Sequence, residues 1–187
     1  MKQKNRGAVL ISIQPRWCEL IANGKKTVEV RKTKPKLETP FKVYIYCTNS
    51  EDMLWILREN ERNSEKIASI FTAKDVGGAT KANGKVIGEF LCDNIAKGNS
   101  QLGSCLTMRE ISEYAKGKAV YGWHISDLVI YDKPKELSEF KKINRECWYA
   151  DLGLQKRDCP ECQNKGCFVQ RPPQSWCYVE KGGGSGA

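Results

Sequence analysis

Residues 13–31 read IQPRWCELIANGKKTVEVR and contain the local signals that decide the fold. Pro15 stands where a helix can begin, since its fixed φ suits the first helical position. Apolar residues then recur at helical spacing until Asn23 and Gly24, a pair typical of a turn. The sequence therefore predicts a short helix that ends in a tight turn.

An alternating segment follows this turn. Val28 and Val30 are expected on one side of a strand, and Thr27, Glu29 and Arg31 on the other. Side chains two residues apart on one strand face lie about 6.5–7 Å from each other. The sequence therefore predicts that a carboxylate and a guanidinium share one face.

The rest of the chain predicts more strands than helices. Strand-like runs cover residues 8–13, 41–47, 85–93, 119–131 (ended by Pro134) and 176–179. We predict helices over 52–71 and, from the capping-box pair Thr107 and Glu110, over 107–115. Because no regular βαβ alternation appears, the pattern predicts an α+β protein with a mixed or antiparallel sheet curled into a barrel, with peripheral helices.

One motif resembles a known family. Gly24, Lys26, Glu29 and Arg31 fill the pattern Gly-x-Lys-x-x-Glu-x-Arg after a short helix, which is the hallmark of the ASCH domain, a family of PUA-like β-barrels. The resemblance covers roughly residues 8–140. The string RPPQSWCYV at 171–179 is similar to the tail of phage and prophage ASCH-domain proteins of Gram-positive bacteria, which also carry a cysteine-rich insert before it.

This resemblance implies a domain organisation. We expect an ASCH domain at residues 1–140 and a small cysteine-rich extension at 141–181 that returns a final strand. Residues 182–187 are interpreted as a linker or expression scar.

The resemblance also implies a cleft for RNA or for a modified nucleobase or nucleoside. Some relatives are hydrolases, of acetylated cytidine in one branch and of RNA in another. In the amidohydrolase branch a lysine matching Lys26 is the proposed nucleophile, and a threonine stands where this chain has Glu29.

The same residues support two kinds of chemistry. An Arg31 fork can match a planar acceptor, Glu29 can accept from an exocyclic amine, and Lys26 can neutralise a phosphate. Alternatively, Lys26 and Glu29 act as a catalytic pair, with the lysine as nucleophile and the carboxylate as general acid or base. The further candidates for ligand binding are Thr27, Arg16, Trp17 and His124; Trp17 either stacks on a base or packs in the core.

The charge of the chain is uneven. The 187 residues have a formal net charge of +9, and residues 1–50 hold eleven basic and three acidic residues. Such a basic segment either attracts nucleic acid or is a solvated face. No apolar run approaches the roughly 20 residues that span a bilayer, so we expect a cytoplasmic protein without a membrane partner.

Nine cysteines are many for such a chain, and five of them fall in the last 41 residues. The pair Cys159 and Cys162 has the spacing of a zinc knuckle, with Cys167 as a third ligand and Cys147, or alternatively Cys177, as the fourth. The sequence thus predicts a structural, four-thiolate Zn²⁺ site. A redox Cys-x-x-Cys pair and incidental cysteines are the alternatives.

The leading prediction is a nucleic-acid or modified-nucleotide binding module, with RNA favoured. A hydrolase acting on RNA or on an acylated nucleoside is the first alternative. A phage-encoded adaptor that binds a protein is the second.

Overall fold

A six-stranded mixed sheet forms the body of the protein. The structure is a computed structural model, and it describes residues 7–57, 66–69, 79–98, 105–143 and 167–182. The strands are β1 (Gly7–Ile13), β2 (Val28–Arg31), β3 (Phe41–Cys47), β4 (Leu54–Ile56), β5 (Ile67–Ser69), β6 (Thr80–Lys81), β7 (Val86–Lys97), β8 (Tyr121–Lys135) and β9 (Trp176–Glu180), and the helices are α1 (Pro15–Ala22) and α2 (Met108–Ala115). The main sheet has the order β2-β8-β7-β3-β1-β9. Among the described strands only β1 and β3 pair in parallel, so the predicted mixed sheet and the α+β class are confirmed.

This sheet curls into a half-barrel, and the loop that follows one edge strand, β2, contacts the other edge strand, β9. The Trp176 indole donates a hydrogen bond to the Thr33 hydroxyl at 3.0 Å. The Lys36 backbone N–H donates to the Tyr178 hydroxyl at 2.7 Å. These hydrogen bonds fix the loop after β2 to the C-terminal strand. The line along which this loop and β9 meet is here called the seam.

Both faces of β1 are covered, which explains why all seven of its residues are buried. Val9, Ile11 and Ile13 point into the main core of the half-barrel. Ala8 and Leu10 belong to a second cluster, whose other members come from β3, β7, β9 and the segments around residues 140 and 169. A strand buried on both faces is expected to be almost continuously apolar, as this one is.

The helix predicted over residues 52–71 is wrong where the structure describes that range. Leu54–Ile56 and Ile67–Ser69 are antiparallel strands of a small three-stranded sheet with β6. The buried Asn83 side chain accepts from the Leu54 N–H and donates to the Asp52 carbonyl, both at 2.8 Å. The Leu54 N–H and the Asp52 carbonyl therefore bond to a distant side chain and not within a helix. The apolar residues described in this range belong to two short strands.

Two other local predictions have different outcomes. The capping box of α2 is confirmed, with Thr107 and Glu110 bonded reciprocally. Pro134 does not end β8, which continues to Lys135 and tolerates the proline near its end. Among the described residues no helix is long and apolar enough to cross a membrane.

Candidate functional site

A cavity of about 690 Å³ opens beside the seam. Its volume falls in the range of about 300–1,000 Å³ that is typical of small-molecule sites. The residues that line it come from the end of β1, α1, β2, α2 and the C-terminal segment: Ser12, Ile13, Gln14, Trp17, Lys26, Glu29, Val30, Arg31, Thr48, Leu106, Glu110, Glu113, Tyr114, Pro172, Pro173 and Gln174. The cavity therefore includes the whole Lys, Glu and Arg motif.

The end of α1 directs Lys26 into this cavity. Gly24 has a φ of +72°, and its N–H bonds to the Ile21 carbonyl while the Lys25 N–H bonds to the Leu20 carbonyl. This pair of bonds is a Schellman motif, which requires a left-handed residue and therefore favours glycine. The sequence Asn23-Gly24 thus fixes the backbone two residues before Lys26.

Lys26, Glu29 and Arg31 form a continuous chain of charges on the cavity floor. Lys26 Nζ lies 3.3 Å from one Glu29 oxygen, and Arg31 Nε lies 3.0 Å from the other. The side chains of Lys26, Glu29 and Arg31 are 2%, 8% and 11% exposed. Burying charges to this degree is costly unless they are paired and hydrogen-bonded. Here each cation also donates to a backbone carbonyl, Lys26 to Val28 at 2.7 Å and Arg31 to Ser12 at 2.6 Å.

The C-terminal segment joins this chain through Ser12. The Ser12 hydroxyl donates to the Pro173 carbonyl at 2.7 Å, and the Ser12 N–H donates to the Ser175 carbonyl at 2.9 Å. Since the Ser12 carbonyl accepts from Arg31, one residue links the tail to the charged floor. Residues 172–174 are therefore one wall of the cavity.

Trp17 and Arg16 stand at the start of α1. Trp17 is half-buried, packs against the main core and also lines the cavity. Its stacking on a base stays a prediction. Arg16 is exposed and does not line the cavity, but its guanidinium lies 4.6 Å from the centre of the Trp17 ring. Lys26 Nζ lies 5.4 Å from the same ring. Two cations thus lie within cation–π distance of the same indole.

Helix α2 supplies the opposite wall with two carboxylates and a tyrosine. Hydrogen bonds from the backbone and side chain of Thr107, with a smaller contribution from the Arg16 charge, hold the pKa of Glu110 below its usual range. Glu113 pairs with Arg109 at 2.9 Å. Tyr114 is 39% exposed.

The charge of the cavity differs from what the basic N-terminal quarter predicts. The lining contains two cations, Lys26 and Arg31, against the three carboxylates of Glu29, Glu110 and Glu113. Other lysines of residues 1–50, among them Lys25, Lys32, Lys34 and Lys36, are exposed outside it. The cavity itself is therefore a mixed polar site.

Two predicted binding residues lie elsewhere. Thr27 precedes β2 and is exposed, and its carbonyl accepts from the Ile125 N–H at 2.9 Å. His124 is exposed on β8 and bonds through Nδ1 to Asp93 at 2.6 Å. Neither residue lines the cavity. Thr27 lies outside the cavity because β2 and its regular alternation begin only at Val28. His124 lies outside it because its neighbour Trp123 points into the core, so the His124 side chain points the other way.

Several lining residues were not predicted from the sequence, among them Gln14, Thr48, Tyr114 and the 172–174 segment. The string at 171–179 resembles the tail of related proteins, but its own residues do not indicate which part of the chain it contacts. Only the pairing of β9 with β1 brings it to the cavity.

The cysteines are only partly described. Cys147, Cys159 and Cys162 lie outside the described residues. Cys167 is buried, and Cys177 lies in β9 opposite Leu10, where burial raises the pKa of its thiol. Among the described residues no group of three or more potential metal ligands occurs.

A curled mixed sheet with two peripheral helices defines a PUA-like domain, a fold that is generally RNA-binding. Residues 11–150 match the ASCH domain family, so the chain belongs to that family. No curated protein matches it significantly.

Solved structures similar to this chain include the ASCH protein from Zymomonas mobilis, with a TM-score of 0.49 and 19% identity over 95% of this chain and 90% of that one. Two single-substitution variants of the same Zymomonas mobilis protein are also similar. One has a TM-score of 0.48 and 18% identity over 93% of this chain and 91% of that one. The other has a TM-score of 0.49 and 18% identity over 95% and 91%.

Proposed function

We propose that this protein binds RNA, or a modified nucleotide, by holding a base in the cavity over Lys26, Glu29 and Arg31. The observation that carries the proposal is the buried chain of these three charges on the floor of a cavity of about 690 Å³. Buried and paired charges hold fixed positions, which is the property needed to read the edge of a base.

The three side chains offer both donors and acceptors to a base. Glu29 can accept from an exocyclic amine, while Arg31 and Lys26 can donate to a ring nitrogen or a carbonyl. Trp17 adds a half-buried aromatic surface on which a base can stack. The mixture of two cations and three carboxylates favours the uncharged base over a phosphate as the group that enters.

A binding titration tests the proposal. Fluorescence anisotropy with labelled single-stranded RNA, and calorimetry with free and modified nucleosides, would compare wild type with Arg31→Met and Lys26→Met. We expect each variant to weaken binding at least tenfold, because hydrogen bonds to charged groups contribute about 1.5–3 kcal/mol each.

Lys25→Met is the matched control, since Lys25 is the adjacent lysine and is exposed outside the cavity. It should leave the affinity of the cavity for nucleosides unchanged. Circular dichroism and thermal unfolding would show that each variant is folded. Wild-type affinity in folded Arg31→Met and Lys26→Met would contradict the proposal.

A hydrolase is the second candidate, and the 3.3 Å contact between Lys26 and Glu29 favours it. A lysine and a carboxylate in contact inside a cavity can act as a nucleophile or electrostatic catalyst with a general acid or base. Incubation with RNA and with an acylated nucleoside would show product in wild type and none in Lys26→Met. Binding without turnover of any substrate would refute this candidate.

We also propose a structural Zn²⁺ site formed by Cys147, Cys159, Cys162 and Cys167, with Cys177 as the alternative to Cys147. The support is the Cys-x-x-Cys spacing and the buried position of Cys167. Metal analysis of protein prepared without chelators should find about one equivalent per chain. Cys159→Ser should lower this value, whereas Cys105→Ser, at an exposed cysteine of the main domain, should not. A zinc content below about half an equivalent would contradict the site.

A further inference from the structure

Five lysines lie in or beside the segments that carry Tyr114 and Tyr121, next to the cavity and apart from its floor residues. We call this surface the lysine patch; it consists of Lys32, Lys34, Lys97, Lys116 and Lys118 around Tyr114 and Tyr121. All five lysines are exposed.

Ring contacts place two of these lysines, strand pairing places a third, and position along the chain places the other two. Lys32 Nζ lies 4.9 Å from the centre of the Tyr114 ring, and Lys34 Nζ lies 6.0 Å from that of Tyr121. Lys97 is the direct β-sheet partner of Tyr121. Lys116 and Lys118 lie in the turn that leads from α2 to β8, where Lys116 takes a left-handed φ of +50°. The patch is thus built by the segment after β2, the end of β7 and the α2–β8 connection together.

The patch has positive charge that its surroundings do not neutralise. Within the described residues, none of the five lysines forms an ion pair. The two carboxylates of the neighbouring helix are engaged elsewhere, since Glu113 pairs with Arg109 and Glu110 caps α2 at Thr107. Such a group of cations attracts a polyanion and does so most strongly at low salt.

Tyr114 makes the patch continuous with the cavity. It lines the cavity, and Lys32 lies over the same ring. Tyr121 is the direct β-sheet partner of Arg31, so the floor and the patch meet along β2 as well. A ligand that extends beyond the cavity over Tyr114 therefore reaches the lysines.

We propose that the lysine patch binds the phosphodiester backbone of a single-stranded RNA while one base of that strand enters the cavity. The two surfaces differ in charge and bind different parts of the strand. The mixed cavity accepts an uncharged base, and the patch neutralises the flanking phosphates. Tyr114 and Tyr121 offer rings for stacking. This inference rests on the proposed function and adds that the ligand is a strand and not a free nucleoside.

The test compares two double variants that remove the same charge. Lys32→Gln with Lys34→Gln removes the two patch lysines that contact the tyrosine rings, whereas Lys81→Gln with Lys133→Gln removes two exposed lysines from β6 and the far part of β8. Anisotropy with a labelled single-stranded RNA of about a dozen nucleotides, a length within known site sizes, would be measured between about 50 and 200 mM salt.

We expect the patch variant to bind roughly tenfold more weakly at low salt and to show a salt slope shallower by about 1.4, since each single-strand phosphate contact contributes about 0.7. The control variant should keep the wild-type slope. Calorimetry with uridine 5′-monophosphate should show weaker binding than the strand and little difference between the two variants.

Three results would overturn the inference. The first is an unchanged slope in the folded patch variant. The second is equal affinity for a fully paired RNA duplex, since its bases cannot enter the cavity without unpairing. The third is patch-dependent capture by phosphatidylserine vesicles or by an acidic peptide without patch-dependent RNA binding. Wild-type nucleoside affinity in folded Arg31→Met, with the effect of the patch variant on RNA binding still present, would instead contradict the proposed function and leave the patch in place.

Discussion

Glu29 and Glu89 are two carboxylates of the same sheet that each pair with a lysine, yet their surroundings differ. Glu29 is 8% exposed at its side chain and contacts Lys26 and Arg31 beside a cavity. Glu89 is 22% exposed at its side chain, lies 2.5 Å from Lys42 Nζ and accepts from the Tyr131 hydroxyl at 2.5 Å. It does not line the cavity.

The surroundings of Glu29 and Glu89 therefore give their two ion pairs different properties. Partial burial alone would raise the pKa of Glu89, but hydrogen bonds from Lys42 and Tyr131 bring it below its usual range. Burial and the bond to Glu89 raise the pKa of Tyr131. Glu89 is therefore satisfied on the sheet surface. Glu29 instead holds two cations in positions that a ligand can reach.

Replacing Glu29 should have the largest effect on stability. Glu29→Gln leaves Lys26 and Arg31 buried without their shared counter-charge, and breaking a buried pair costs about 3–5 kcal/mol. Urea unfolding at neutral pH would measure this loss. Glu89→Gln is the matched change at the less buried carboxylate, with an expected cost of no more than about 1 kcal/mol. Equal losses of unfolding free energy in Glu29→Gln and Glu89→Gln would contradict this difference between the two carboxylates.

Replacing Ser12, which links the C-terminal segment to the cavity floor, should have the next largest effect on stability. Ser12→Ala removes the hydroxyl bond to Pro173 and should cost about 1 kcal/mol. Because residues 172–174 form a cavity wall, RNA affinity should fall several-fold as well. Ser126→Ala removes a similar bond, to the Leu91 carbonyl at 2.9 Å, away from the cavity. It should cost similar stability without weakening RNA binding, and equal losses of affinity would refute the role of the tail.

Glu89 also predicts a dependence of stability on pH. Since its folded pKa lies below the ordinary value of 4.5, its contribution is present above pH 4.5 and is lost as the pH falls through the folded value. The difference in unfolding free energy between wild type and Glu89→Gln should be about 0.5–1 kcal/mol near neutral pH and should vanish in acid. Urea titrations at several pH values would measure it. A difference that grows on acidification would have the wrong sign.

Replacing His124 should have the smallest effect. His124→Asn removes only an exposed contact with Asp93, outside the cavity. We expect no measurable change in the unfolding midpoint or in affinity for RNA or nucleosides. Weakened nucleoside binding in this variant would show that the site extends beyond the cavity wall that the structure describes.

Much of the local structure was predictable because its causes are short-range. Pro15 and Asn23-Gly24 set the ends of α1, and Thr107 with Glu110 sets the start of α2. The strand predicted over 41–47 is also present as β3, whose alternation places Val43 in the main core and Tyr44 in the second cluster.

Errors arose where a local pattern fits two structures. The apolar spacing over 52–71 suits a helix as well as it suits two short strands, and the choice is made by Asn83, some thirty residues away. Thr27 was placed on the face of Glu29 because alternation was extended one residue too far.

The sequence by itself determined the motif of Gly24, Lys26, Glu29 and Arg31, its helix and turn, and the family that these indicate. Only the tertiary structure decided that Glu29 is shared by both cations, that most basic charge lies outside the cavity, and that the tail forms one wall. The reason is distance along the chain. Turns and caps are made by residues a few positions apart, whereas Ser12 and Pro173 are 161 positions apart and meet only because β9 pairs with β1.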